Sequence, residues 1–122
     1  MNKSKNNDKS NGKQGIYRVF YARFPFDVTY ALRTTLDQVP PVITVASLEK
    51  THIFLFEVLG TSIENVFWQM QGENWSPRGE ARPLIEKLRL RHTSMSIDDL
   101  VQAPGGRFYI CQPSGWKEMQ RQ

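Results

Sequence analysis

The C-terminal third of the chain is organised by the stretch Arg91-His92-Thr93-Ser94-Met95-Ser96-Ile97-Asp98-Asp99-Leu100-Val101. Downstream of it come the pair Gly105-Gly106, the apolar run Phe108-Tyr109-Ile110 and a second turn at Ser114-Gly115. Short apolar runs separated by residues that tolerate positive φ angles are typical of β-hairpins. The pattern predicts short strands at 97–101 and 108–110, and a closing strand or tail at 116–119.

Two longer apolar runs precede this region. Residues 16–24 and 51–59 carry β-branched and aromatic side chains on both faces, which predicts strands inside a sheet. The second run is the more continuous, and it predicts a central strand that is buried from both sides. Residues 42–46 allow one further short strand.

Helical spacing of apolar residues occurs in three segments, 27–39, 63–70 and 83–88. Asp27 is a good N-cap, Thr61 and Glu64 form a capping box before the second helix, and Gly72 is placed to end it. We therefore expect a single compact α+β domain over residues 15–122. It has an antiparallel or mixed sheet of about five strands, with two to three helices packed on one face.

The charge of the chain is concentrated at its N-terminus. The 122 residues carry a formal net charge of +4, of which residues 1–14 hold +3. This segment is rich in Asn, Lys and Ser, and Met1 is its single apolar side chain, so we expect a disordered basic tail. A solvated terminus is one interpretation; the alternative is a nucleic-acid contact through Lys3, Lys5, Lys9 and Lys13.

Several function classes have no signature in the chain. The single cysteine, Cys111, excludes an intrachain disulfide and a multi-cysteine zinc site. No apolar run approaches the roughly 20 residues that span a bilayer, and the first fifteen residues lack the apolar core of a secretory signal. We therefore expect a cytoplasmic protein without membrane contact. No glycine-rich loop has phosphate-binding spacing, and no cofactor is predicted.

The stretch 91–101 contains the residue types of an acid–base–nucleophile set. Ser94, Ser96 and Asp98 would line one face if the segment were extended. One hypothesis is a small hydrolase or transferase that uses His92 with Ser94 or Asp98. The alternative is that these side chains satisfy backbone groups in a loop. A metal site from His92, Asp98 and Asp99 is conceivable, but we predict neither a catalytic nor a metal-binding residue.

The loop from Glu73 to Arg82 is the best candidate for a partner surface. Tryptophan and arginine dominate interface hot spots, and loops carry recognition more often than cores do. The competing interpretation is that Trp75 folds back as a lid on the core. Base stacking on exposed aromatic residues is a third hypothesis. The predicted binding residues are Trp75, Arg78, Glu80, Arg82, His92, Ser94, Ser96 and Trp116.

The stretch 92–101, with Phe108-Tyr109 and the ending Gly115-Trp116-Lys117, resembles small bacterial proteins that have no agreed biochemical role. In them a serine-methionine-serine run precedes an acidic turn, a strand and a glycine-aromatic end; YodL-like domains end similarly. Residues 66–76 and 79–82 resemble the same group, whose members are frequently encoded on plasmids, phages and other mobile elements. The resemblance implies a regulatory or interfering role in the host cell rather than catalysis. Where that pattern has a glycine, this chain has Asp98.

Overall fold

The computed structural model describes residues 13–28 and 43–120. They form one five-stranded sheet in which every neighbouring pair of strands is antiparallel. The prediction of an α+β domain with about five strands is confirmed. The strands are β1 (Gly15–Ala22), β2 (His52–Gly60), β3 (Leu100–Gln102), β4 (Phe108–Gln112) and β5 (Gly115–Glu118). Their order in the sheet is β2-β1-β3-β4-β5.

The positions of β1 and β2 in the sheet differ from each other. β1 pairs with both β2 and β3, which confirms its prediction as an interior strand. In the sheet that the described residues form, β2 lies at the edge, so the prediction of a central strand buried from both sides is wrong. Phe54 and Leu59 of β2 stay 39% and 55% exposed. Phe54 packs against Phe20 of β1, with ring centroids 5.4 Å apart, so cross-strand contact explains its apolar character.

The described residues contain four short α-helices and two 3-10 turns. Two of the predicted helices, those at 63–70 and 83–88, are present as helix α2 (Ile63–Gln69) and helix α4 (Arg82–Lys87). The predicted helix from Asp27 begins as a 3-10 turn, and its remainder lies outside the described residues. The elements are α1 (Leu48–Thr51), α2 (Ile63–Gln69), α3 (Gly72–Trp75), α4 (Arg82–Lys87) and the 3-10 turns Phe26–Val28 and Val45–Ser47.

Local capping corrects three sequence-based expectations. Of the predicted short strand at 42–46, the described residues 43–46 form no strand, because Thr44 and Ser47 make a capping box that opens a helical segment. At α2 the N-cap is Ser62, one residue later than predicted, and its hydroxyl accepts a hydrogen bond from Asn65 N at 3.0 Å. Gly72 begins α3 instead of ending a helix, so the predicted loop is helical in its first part.

The core consists of two clusters, one on each face of the sheet. Neighbouring strand residues alternate between them, as Val101 and Leu100 do in β3, because side chains of a strand point to opposite faces in turn. The larger cluster lies under α2 and α4. It includes Met95, which brings the stretch between α4 and β3 onto the core. This packing positions the candidate site.

Candidate functional site

The stretch that precedes β3 is a turn rather than an extended segment. Asp98 has a φ angle of +78°, so the left-handed turn is present with an aspartate where the resembling pattern has glycine. Asp98 N donates to Cys111 O and Cys111 N donates to Asp99 O, both at 2.9 Å, which docks the turn on β4. Because the segment is not extended, Ser94, Ser96 and Asp98 do not share the face that an extended segment would give them: Ser96 is exposed while Asp98 is fully buried.

The carboxylate of Asp99 is the centre of the site and is fully buried. Its Oδ1 accepts a hydrogen bond from Ala22 N at 2.8 Å. Its Oδ2 accepts from Ser96 N and from His92 Nε2, each at 2.8 Å. Burial raises the pKa of Asp99, and the bonds from His92 and the two backbone amides oppose that rise. Asp99 therefore ties the end of β1 to the turn and orients His92.

The imidazole of His92 lies between Asp99 and Tyr21. It stacks on the Tyr21 ring with centroids 4.6 Å apart and planes 13° from parallel. Burial lowers the pKa of His92, but the hydrogen bond and charge of Asp99 and the charge of Asp27 outweigh burial, so the pKa is raised. A carboxylate only accepts, so His92 carries its proton on Nε2 when Asp99 is ionised. The basic nitrogen of the neutral ring is then Nδ1.

His52 holds the same turn from its other side. Its Nε2 is 2.7 Å from Asp98 O, and its Nδ1 is 2.8 Å from Thr51 Oγ1. Because a carbonyl only accepts, Nε2 carries the proton and Nδ1 accepts from the threonine hydroxyl. Burial lowers the pKa of His52 to about 4. His52 is therefore neutral at pH 7 and has a structural role.

Two further protein groups beside Asp99 keep their protons. Burial and then the charge of Asp99 raise the pKa of Tyr21 well above its ordinary value. Burial, followed by the charges of Asp99 and Asp98, raises the pKa of the Cys111 thiol to about 12. Since the thiolate is the reactive form of cysteine, Cys111 is not an activated nucleophile.

Trp75 ties the predicted partner loop to the His92 stretch. Its indole Nε1 donates to Thr93 O at 3.1 Å, and the Tyr21 hydroxyl donates to the same oxygen at 2.6 Å. The indole packs edge-on against Phe56 with centroids 5.3 Å apart. Trp75 is thus a half-buried lid on the core, which is the second of the two interpretations drawn from the sequence.

The serine hydroxyls of the site support backbone groups. Ser94 Oγ accepts from Gly72 N at 2.7 Å, and Ser96 Oγ donates to Ser94 O at 2.9 Å. In the loop, Ser76 Oγ accepts from Ala81 N at 2.9 Å. These bonds are those expected if the serines satisfy the backbone of a loop rather than attack a substrate.

An open cavity of about 510 Å³ lies between the loop and the His92 stretch. Arg82, Arg91 and His92 line it together with one carboxylate, Glu86. Arg91 is paired with Asp27 at 3.5 Å, whereas Arg82 has no ion pair within the described part of the chain. The cavity therefore presents more positive than negative groups to a ligand.

The other predicted site residues lie apart from the cavity. Arg78 and Glu80 form an exposed ion pair with each other at 3.7 Å. Trp116 packs edge-on against Phe67 with centroids 6.1 Å apart. Asp99, the centre of the candidate site, is absent from the predicted binding set. The one signal for it in the sequence is a carboxylate seven positions after His92.

Comparisons of the chain with protein-family models, with curated proteins and with solved structures find no match. Within the described ranges, no group of three or more His, Cys, Asp or Glu side chains has an arrangement that could hold a metal ion. No helix of the same ranges is long and apolar enough to cross a membrane. Functional proposals for this chain therefore rest on its own residues.

Proposed function

We propose that the chain is a small non-enzymatic binding protein with a regulatory role, which acts through a protein partner. The partner surface is the concave one that Gly72, Ser76, Gly79 and Arg82 form together with residues 85–86 and 90–93. One observation carries the proposal. The predicted loop and the predicted His92 stretch, which are separate in sequence, contribute side chains to one cavity of about 510 Å³.

The rigidity of this surface supports the proposal. Trp75 and Ser94 fasten the two segments to each other through their bonds to Thr93 O and Gly72 N. A surface held in place before binding loses less conformational entropy when the partner docks. The loop is therefore presented in a defined shape.

The charge of the cavity indicates the chemistry of the partner. Arg82 is exposed, and Arg91 and His92 stand beside it in the lining. Complementary charge gives specificity and speeds association more than it raises affinity. The partner would present acidic side chains to Arg82 and His92.

The test begins with capture of the partner by the tagged full chain from host cells, with and without nuclease. We expect a protein that survives nuclease and whose affinity falls about tenfold or more on Arg82→Glu. Lys87→Glu is the matched control, because Lys87 is also exposed on α4 and does not line the cavity. Captured material that disappears with nuclease would favour the nucleic-acid alternative. Equal affinities of both variants would refute this surface.

The cellular setting is part of the same proposal. We place the chain in the cytoplasm, and its single cysteine, a buried free thiol, supports a reducing compartment. The relationship to proteins of mobile elements is supported by residues 92–101 and the ending 115–117. A reporter fusion that fractionates outside the cytoplasm would contradict the location.

A second candidate function is hydrolysis or group transfer with His92 as general base. The favouring observation is the 2.8 Å hydrogen bond that His92 Nε2 donates to Asp99 Oδ2 beside the cavity, since a base oriented by a carboxylate is the arrangement of acid–base catalysis. Ser94 and Asp98 are not its partners, so a water molecule would be the group deprotonated. A screen of carboxylate and phosphate esters tests this: equal activity of wild type and His92→Gln excludes it.

A further inference from the structure

A second concavity adjoins helix α3. It is an open groove of about 720 Å³ between the end of β2 and the helices α2 and α3. Trp75 and Asn74 of α3 line it, whereas Gly72 of the same helix lines the cavity beside His92. The groove and the proposed partner surface are therefore adjacent, and α3 separates them.

The groove is aromatic and uncharged. Trp68 of α2, which stands in its wall, is 62% exposed. Carboxamide side chains, including Asn65 and Gln69, supply the polar part of the lining, and no lining residue is charged. Tryptophan is enriched among the hot spots of protein interfaces, which cluster in pockets that the partner desolvates. A charge buried here would have no partner, so an uncharged ligand is favoured.

The outer edge of β2 runs beside this groove. Within the described part of the chain, no strand pairs with that edge. Gln69 Nε2 donates a hydrogen bond to Leu59 O at 2.7 Å, so this carbonyl points away from β1. The side-chain amide takes the place that the backbone N–H of an additional strand would have. Backbone groups of an edge strand alternate in direction, so Glu57 also presents its N–H and C=O outward. Such an edge is a template for one more strand.

We propose that the groove binds an extended, uncharged segment of a protein partner, which pairs with the outer edge of β2 and packs an apolar side chain against Trp68. Strand addition of this kind draws affinity from main-chain hydrogen bonds and specificity from alternate side chains. This inference shares one premise with the proposed function, namely that the partner is a protein.

The segments of this chain outside the described residues do not match the groove. Residues 1–12 carry three lysines and an aspartate, residues 29–42 carry Arg33 and Asp37, and residues 121–122 are a dipeptide that includes an arginine. Charged segments of this kind are poor ligands for an uncharged aromatic site. An occupant from another protein, continuous with the adjacent partner surface, fits the chemistry better.

The probe is a library of random decapeptides displayed on phage and selected against the full wild-type chain. We expect enriched peptides with few charges and apolar residues at alternate positions. The affinity of a synthetic enriched peptide should fall about tenfold or more on Trp68→Ala. Methylation of the peptide's backbone nitrogens should weaken binding at alternate residues, because only every second N–H faces β2. A ligand bound by side chains alone would not show this alternation.

Phe24→Ala is the matched control, because Phe24 is an exposed aromatic residue, 57% accessible, beyond the other end of β1. The peptide affinity should be unchanged in this variant and in Arg82→Glu. Lack of enrichment, or enriched peptides that bind Trp68→Ala as well as wild type, would overturn the proposal. A wild-type dimer that Trp68→Ala converts to monomers would show that a second copy occupies the groove. If Arg82→Glu alone weakens the native partner, the proposed function survives and the groove assignment fails.

Discussion

Replacement of Asp99 by asparagine tests the centre of the site with a change of one atom. The carboxylate accepts three hydrogen bonds, from Ala22 N, Ser96 N and His92 Nε2. An asparagine has one oxygen and one NH₂ group. Whichever way its amide is turned, one backbone N–H then faces another donor instead of an acceptor.

The cost follows from that mismatch. A buried backbone N–H without an acceptor costs about 1–3 kcal/mol, and the lost bond to a charged group is of the same order, so Asp99→Asn should lower the free energy of unfolding by about 3 kcal/mol. The pKa of His92 should fall as well, because the hydrogen bond and charge of Asp99 are what raise it against the effect of burial. A purely steric role for Asp99 would leave that pKa unchanged.

Two measurements check both effects. Urea unfolding at pH 7, followed by tryptophan fluorescence, gives the free energy of unfolding. Two-dimensional NMR of the imidazole resonances gives the pKa of His92. Glu57→Gln is the control, since Glu57 is an exposed carboxylate paired with Arg18 at 3.6 Å and should cost less than about 1 kcal/mol. A loss below about 1 kcal/mol for Asp99→Asn, or an unchanged pKa of His92, would refute the reasoning.

Two further predictions concern the histidine clamp and the end of α4. Because the pKa of His52 is about 4 when folded and 6.5 in its ordinary state, the unfolded chain binds a proton in this window that the folded chain does not. The free energy of unfolding should therefore decrease as the pH is lowered. Between pH 7 and pH 5, wild type should lose about 2 kcal/mol more of this free energy than His52→Gln does. Parallel pH profiles in urea unfolding would contradict this. Arg89 follows α4 and has a φ angle of +58°. Its N–H donates a hydrogen bond to Glu86 O, and the N–H of Leu90 donates to Ile85 O. Arg89→Gly should raise the unfolding free energy by about 0.5–1 kcal/mol, since glycine removes the left-handed strain; a lower thermal midpoint would count against that strain.

Local sequence patterns were sufficient for much of the fold. The turn at Gly105-Gly106 and the turn before Gly115 occur where glycine was expected, and Gly106 and Gly115 have positive φ angles. The helix at 63–69 follows from its apolar stripe, although its cap moved by one residue. These features depend on interactions among residues a few positions apart, which a sequence pattern can encode.

The order of the strands was beyond such patterns. The run 51–59 has apolar side chains on both faces, and that is equally compatible with a central strand and with an edge strand packed across its neighbour. Pairing of β1 with both β2 and β3 decides the matter, because it leaves β2 at the edge beside the Trp68 groove. The sequence of helix α2 likewise does not indicate how far the Trp68 side chain is exposed.

The candidate site too was predicted in part from the sequence and decided in part by tertiary structure. The stretch 91–101 marked His92 and the acidic turn, because these residue types favour turns and polar sites. The pairing of His92 with Asp99 instead of Ser94 or Asp98 was decided by tertiary structure. Ala22 N, 77 positions away in sequence, supplies the bond that fixes the buried carboxylate, and Tyr21 supplies the surface on which His92 stacks. A buried polar group takes the partners that remote strands bring to it, because leaving it unpaired costs more than any local preference.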